Sequence, residues 1–245
     1  MYLFFVDGQE IGETTARIAG PDVNHIKNVL RMKPGDGLRI SDGESLCYNC
    51  RIQAFEEDAV LLSLLSRDED GTELPAKIVL FQGLPKGDKM ELVIQKNVEL
   101  GVSRIVPVAT RRSVVKLDAK KAEAKVRRWR AISESAAKQS KRTVVPEVSG
   151  VLSFKEAVDL AADFDCKLFP YEHAEGMGET RKILSAVRPG MSIAAFIGPE
   201  GGFEEEEVDY ARERGFLPIT LGRRILRTET AGMALLAALM FQLEK

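Results

Sequence analysis

From Lys77 onward the chain alternates short β-branched or aromatic runs with longer amphipathic ones, and this alternation restricts the possible folds severely. Ile78–Phe81, Arg104–Ala109, Cys166–Phe169, Ser192–Ile197 and Ile219–Leu221 read as strands. Lys89–Leu100 (closed by Gly101), 118–139, 154–162, Glu179–Val187, Glu204–Arg214 and a last stretch from about Thr230 to Leu243 read as helices. Strands separated by helices cannot pair as hairpins, so the pattern predicts an α/β fold, a parallel sheet with helices on both faces. Ligands of such sheets sit at the carboxyl ends of the strands.

The first 65 residues have a different rhythm. Tyr2–Val6, Leu38–Ser41, Leu46–Phe55 and Ala59–Leu65 read as strands separated by turn signals such as Pro34-Gly35-Asp36-Gly37 and Asp42-Gly43, with a short helix expected over His25–Met32 after Pro21-Asp22. A small β-barrel fits this spacing. Ser66–Pro75 is polar, charged and broken by Gly and Pro, so a linker is expected there, between a domain over residues 1–70 and a second over 76–245.

Charge is segregated along the chain. Residues 1–75 carry 7 Lys+Arg against 14 Asp+Glu, whereas residues 103–142 carry 13 against 3, so a formal charge of −2 hides a strongly basic block. Such a block is either a polyanion-binding surface or a solvated helix face. Three cysteines, an odd number, argue against a disulfide framework and for a reducing, cytoplasmic compartment. No apolar run reaches the roughly 18 residues that a membrane span needs, and the first residues lack the basic start of a signal peptide. Cys47 and Cys50, three apart, fall on opposite faces of a strand, and His25 and His173 stand too far from other ligands, so no metal is expected.

Two glycine-bearing stretches close strands near the C-terminus. Ile197-Gly198-Pro199-Glu200-Gly201-Gly202-Phe203 follows Ile193–Phe196, and Leu221-Gly222-Arg223-Arg224-Ile225-Leu226-Arg227-Thr228-Glu229-Thr230-Ala231-Gly232 opens the final helix. Glycine allows backbone angles closed to other residues and lets a ligand approach the main chain, and each following helix turns unpaired N–H groups toward the same space. Neither a G-x-G-x-x-G nor a G-x-x-x-x-G-K-[ST] pattern occurs, which argues against a dinucleotide fold or a P-loop.

These two stretches resemble the knot loops of the SPOUT methyltransferases, and within them the branch that methylates N3 of a uridine in small-subunit ribosomal RNA. The resemblance extends to Gln95–Val102, to Glu134–Arg142, and to His25, Val29, Leu30, Arg31 and Met32, and so covers most of the chain. It implies a C-terminal parallel sheet with a trefoil knot, preceded by a small PUA-like barrel that binds RNA. It also implies S-adenosylmethionine as cofactor and a homodimer with the site at its interface. Ile197, Gly198, Pro199, Glu200, Gly201 and Gly202 would form one wall of the cofactor site. Leu221, Gly222, Ile225, Leu226 and Arg227 would form another, with Thr228 and Ala231 at the helix start, and Phe169, Pro170 and Tyr171 a third.

Methyl transfer to uracil N3 needs the N3 proton removed and the developing anion stabilised. Arg227, Glu229 and Glu172 are the catalytic candidates, with Glu200 a further candidate base and Arg142 and Arg31 further candidate anion stabilisers. Glu229 also suits a plain role beside the helix dipole, as do Glu204–Glu207 as a solvated first turn. For RNA, the candidates are His25, Lys27, Arg31, Arg111, Arg112, Lys138 and Arg142, with the basic helix around Trp129; that tryptophan is more readily read as packed. The expected substrate is 16S rRNA within an assembled or nearly assembled small subunit. Alternatives are a related methyltransferase acting on tRNA or large-subunit rRNA, a non-catalytic RNA binder, or a nucleotide-binding enzyme.

Overall fold

A computed structural model describes residues 1–44, 46–67, 71–172, 174 and 176–244. Asp68–Asp70 of the expected linker, and His173, lie outside the described residues. Two compact units form, one from Met1–Glu73 with Ala137–Val145, the other from Leu74–Ala136 with Pro146–Lys245.

In the first unit five strands, β1 (Leu3–Phe5), β2 (Thr15–Ala19), β3 (Gly37–Ser41), β4 (Cys47–Phe55) and β5 (Ala59–Arg67), pair in the order β1-β3-β4-β5-β2. The sheet curls as a half-barrel, with β1 and β2 at its two edges. Sequence reading missed β2 because only Ala16 and Ile18 of its five residues face the core. The expected helix over His25–Met32 is instead a short α1 (Pro21–Asn24) that widens into a π-helical turn over His25–Val29 and stops at Arg31, whose φ of 53° is left-handed. Cys50 lies opposite Leu38 in the core and Cys47 opposite Ser41, on the other face, as their spacing required. That second face is covered by Thr143–Val145: the Ser41 hydroxyl donates to the Thr143 carbonyl at 2.6 Å, and Val145 N–H donates to Gly43 O at 2.9 Å.

The second unit is built on seven strands, β6 (Lys77–Gly83), β7 (Arg104–Ala109), β8 (Glu147–Val148), β9 (Leu152–Ser153), β10 (Cys166–Pro170), β11 (Ser192–Ile197) and β12 (Leu217–Ile219). All pair in parallel, in the order β12-β10-β11-β6-β7-β8 with β9 beside β7. Ile193 to Phe196 of β11 are wholly buried, which requires cover on both faces and explains their unbroken apolar run. On one face Phe81, Phe169 and Phe196 pack with Phe154 of α4 (Phe154–Leu160), with Phe203, and with Val208 and Ala211 of α6 (Glu205–Arg212); the Phe81 and Phe196 rings stack at 4.3 Å. α7 (Thr228–Leu243) packs on β11 and against α2 (Lys89–Glu99) and α5 (Met177–Ala186). α7 is apolar almost all round, and Gly232 lets it approach the buried Asn97 of α2, whose amide would lie 3.4 Å from an added Cβ. The long α3 (Ala119–Ser140) buries Trp129, as expected of a packed tryptophan. β12 begins two residues earlier than the apolar pattern suggested and includes Pro218, tolerated because β12 is an edge strand paired only to β10. Among the described residues no helix is long and apolar enough to cross a membrane.

Candidate functional site

A cavity of about 510 Å³ opens at the carboxyl ends of β10, β11 and β12. Its walls are the three segments that leave those strands: Pro170–Glu172, Ile197–Phe203 and Thr220–Thr228, with Lys89 and Ala231 contributed by helices. Its volume lies in the range of small-molecule sites.

The loops are held by few, well-placed contacts. Gln82, fully buried at the end of β6, donates through Nε2 to the Thr228 hydroxyl at 2.8 Å, and that hydroxyl donates to the Gly198 carbonyl at 2.6 Å. One relay thus ties the strand, the first loop and the start of α7. Gly83 lies against Pro199 so closely that an added Cβ would stand 2.6 Å from Pro199 Cδ and 2.7 Å from its nitrogen. The first loop then folds into a turn, Gly202 N–H donating to Pro199 O at 2.9 Å with Gly202 at φ 69°. Gly222 sits at φ 116° with open space where a Cβ would be, so its backbone faces the cavity bare.

Charge at the site is uneven. Lys89 Nζ donates to Glu200 at 2.7 Å and lies 3.9 Å from Glu229 Oε2. Burial alone would raise the Glu200 carboxyl, but hydrogen bonds from Lys89 and from the Glu200 and Lys86 backbone amides, with the Lys89 charge, hold it below its ordinary value. Glu200 is therefore a poor base and a good staple between the β6–α2 connection and the first loop. Glu229 does not line the cavity; its Oε2 is buried without a hydrogen-bond partner among the described residues. Glu172 lines the cavity and is exposed. Arg223, Arg224 and Arg227 are exposed on the second loop.

Every residue proposed for the cofactor lines this cavity except Phe169. Its ring belongs to the core instead, 4.3 Å from Phe203, and the chain reaches the cavity only from Pro170 onward. Ile225 lines the cavity but is 87% exposed, so it stands at the mouth. Sequence reasoning missed Lys89, Thr220, Phe203, Arg223 and Arg224 as lining residues. Of these, Lys89 is 108 residues upstream of Ile197, and nothing local marks it. The walls suit an adenosyl amino acid: apolar Ile197, Leu221, Leu226 and Ala231 face bare glycine backbone.

The RNA candidates fare differently. Arg142 is buried at 3% exposure and paired to Glu73 through Nε and Nη2, so it holds the first unit together and offers nothing to a ligand. Arg111 pairs with Glu206, and its N–H donates to Glu207 at 2.9 Å. Arg112 clasps Glu204 at 2.9 Å and donates to Gly201 O at 2.9 Å, bracing the first loop. The hydrogen bond and charge of Arg112 hold the Glu204 carboxyl below its ordinary range. Glu204, Glu206 and Glu207 are thus engaged rather than merely solvated, because Arg111 and Arg112 leave β7 directly beside their helix. In the first unit Lys138 pairs with Asp22 at 3.4 Å, and Lys27 donates to Glu56 O at 3.3 Å. His25 and Arg31 are exposed, His25 lying edge-on to Phe4.

The chain is similar to known proteins over almost its whole length. Residues 72–240 match the RNA methyltransferase domain, and residues 18–65 the RNA methyltransferase PUA domain. Ribosomal RNA small subunit methyltransferase E of Bacillus subtilis (strain 168) is 40% identical over 99% of this chain and 96% of its own. The protein of the same name from Mesomycoplasma hyopneumoniae (strain 232) is 33% identical over 96% of this chain and 97% of its own. The crystal structure of the Neisseria gonorrhoeae protein of that name, bound to S-adenosyl methionine, superposes with a TM-score of 0.81 at 35% identity, covering 97% of this chain and 96% of that one. With a parallel sheet, a glycine-walled cavity at its carboxyl edge and both of these domain matches, the chain belongs to the RNA methyltransferase family.

Proposed function

We propose that this chain transfers a methyl group from S-adenosylmethionine to N3 of a uracil in small-subunit (16S) ribosomal RNA. The observation that carries the reading is the cavity between the two glycine loops, held by the Gln82–Thr228–Gly198 relay, in a chain similar over almost its whole length to proteins named ribosomal RNA small subunit methyltransferase E. The cofactor, when bound, supplies an activated methyl group on a sulfonium. The protein's task is then alignment and charge control. Ile197, Leu221, Leu226 and Ala231 grip apolar surface, while the main chain of Gly198, Gly201, Gly202 and Gly222 meets polar edges. Holding acceptor and donor in line can supply roughly 7–11 kcal/mol of the barrier. The N3 proton passes to a carboxylate, Glu172 on the cavity wall or Glu229 behind it, and Arg227 stabilises the uracil anion left behind. N3 then bonds the methyl carbon as the carbon–sulfur bond breaks.

In the same reading, residues 1–70 form an RNA-binding PUA-like domain and 76–245 the methyltransferase domain, whose final segments are threaded as a trefoil knot. Support for the knot is that Thr228, after β12, is bonded both to the end of β6 and to the loop after β11. The active form is a homodimer in the cytoplasm: α7 buries Leu235, Leu236, Leu239 and Leu243 yet leaves the Phe241 ring 80% exposed, where a second copy would cover it. The substrate is the RNA within an assembled or nearly assembled small subunit.

The test is transfer of labelled methyl from S-adenosylmethionine to small ribosomal subunits lacking their native modifications, followed by nucleoside separation. Label in N3-methyluridine is the expected result. Cofactor binding without label in any RNA would overturn the reading.

A further inference from the structure

The arginines of the basic block that the sequence offers as a polyanion surface are engaged from within, and its uncommitted charge is confined to lysines such as Lys116 and Lys120. Along α3, Lys121 pairs with Asp118 at 3.1 Å, Arg127 with Glu123 at 3.2 Å and Arg128 with Glu91 at 2.7 Å, while Arg130 Nε donates to Val148 O at 2.9 Å. Arg111 and Arg112, just upstream, are held by Glu206 and Glu204. A phosphate arriving at any of these must displace a carboxylate or a carbonyl.

The second loop presents the opposite case. Arg223, Arg224 and Arg227 fall within five residues, all are exposed, and none of their side chains has a hydrogen-bond or ion-pair partner among the described residues. All three line the cavity into which a methyl acceptor would have to reach. Of the nearby carboxylates, Glu200 is taken by Lys89 and Lys86 N–H, Glu229 lies outside the cavity 3.9 Å from Lys89, and Glu172, which does line the cavity, forms no ion pair with any of the three arginines. Three uncompensated guanidinium groups at one rim repel each other and would repel a sulfonium cation, unless an anionic ligand of matching extent sits over them. One cofactor carboxylate cannot match three cations. A phosphodiester backbone can, because guanidinium forks bind phosphate oxygens in paired hydrogen bonds and the contact releases only water and counterions.

We infer that Arg223 and Arg224 bind the backbone phosphates flanking the target nucleotide, so that the cofactor loop itself, rather than α3, anchors the RNA at the mouth of the cavity. Arg227, at the helix start, is left to face the base. This assignment rests on the proposed RNA substrate and specifies how it is gripped. Phosphate contacts position and do not read sequence, so the two arginines set register and affinity, while selection of the nucleotide lies elsewhere.

The experiment measures binding of isolated small-subunit rRNA to the full-length protein at several salt concentrations. The proteins compared are the wild type, Arg223→Gln/Arg224→Gln, the charge-keeping Arg223→Lys/Arg224→Lys, and Lys121→Gln/Arg127→Gln on α3, whose cations are already paired. Each lost phosphate contact lowers the slope of log K against log salt by about 0.7. The glutamine pair is expected to lower it by about 1.4, the lysine pair to retain most of it, and the α3 pair to change it little. Cofactor affinity of each protein is read in parallel by calorimetry. An unchanged slope in the glutamine pair, a slope lost equally in the lysine pair, or a cofactor affinity that falls by the same factor as RNA affinity would each overturn the assignment. Wild-type methyl transfer to small subunits is scored separately. Transfer with an arginine-independent slope sinks this inference alone, whereas no transfer with an arginine-dependent slope sinks the proposed reaction and leaves the phosphate contact standing.

Discussion

Thr228→Val is the most informative single change at the site. Valine has threonine's shape, so packing is kept while one hydroxyl is removed. That hydroxyl accepts from Gln82 Nε2 at 2.8 Å and donates to Gly198 O at 2.6 Å, and Gln82 is fully buried with its Oε1 already unpartnered. After the change one Gln82 N–H keeps only its bond to Gly83 O, at 3.0 Å, and the other is stranded. A buried donor left unsatisfied costs about 1–3 kcal/mol. For a chain of this size about 2 kcal/mol corresponds to a fall in melting temperature of roughly 4–8 °C. The assay is built in: Trp129 is the sole tryptophan, it is buried in the second unit, and its emission reports that unit's unfolding. Thr228→Ser keeps the hydroxyl and should lose only about 1 kcal/mol for its missing methyl group. Gln82→Met added to Thr228→Val removes the stranded donor and should restore most of the loss, since deleting both partners of a bond can be nearly neutral. Because Gly198 is a cavity wall, cofactor dissociation should also rise, tenfold for each 1.4 kcal/mol passed to the loop. A Thr228→Val protein that melts with the wild type and binds cofactor equally would refute the relay as the element that holds the loops.

Three further outcomes follow from the same contacts. Gly83→Ala would drive a methyl group into Pro199, at 2.6–2.7 Å from ring and backbone atoms that cannot swing aside, so a loss of about 1–3 kcal/mol and weakened cofactor binding are expected by the Trp129 and calorimetric assays. The Glu200 carboxyl is lowered in the folded protein, so its contribution is complete above the ordinary carboxylate range and disappears as pH falls through the lowered value. Lys89→Met removes the principal donor and brings the folded value back toward the unfolded one, so in thermal scans against pH the acid-dependent loss of stability should be smaller than in the wild type. Burial raises the Cys50 thiol to about 12 and the Cys166 thiol to about 11, and Cys47 is buried as well, so thiol reagents at pH 8 should label none of the three until the chain is unfolded.

Much of the architecture is legible because its signals are local. A short unbroken apolar run such as Ile193–Phe196, bounded by glycine and proline signals, reads as a strand covered on both faces, and Gly101 ends α2 at φ 91°, where a side chain would be strained. The two glycine stretches declare a backbone-lined pocket for the same reason. β2 escaped notice because an edge strand needs only two inward residues, and β12 was displaced because a proline there reads as a break until its edge position is known.

What chain order alone could not reveal is which charges meet. Arg111, Arg112 and Arg142 look like free cations in a basic block, yet Glu206, Glu204 and Glu73 lie 95, 92 and 69 residues away and claim them. Lys89 reaches the cavity across 111 residues to Glu200, and the Ser41–Thr143 bond brings Thr143 to the first unit across 102. Hydrophobic period, glycine and turn chemistry act over a few residues, so the sequence by itself determined the longer strands, most of the helices and the two loops. Coulombic pairing and hydrogen bonding depend on distance in space, which is why only the tertiary structure decided that the arginines of the basic block are engaged from within and that the side chains of Arg223, Arg224 and Arg227 have no ion pair among the described residues.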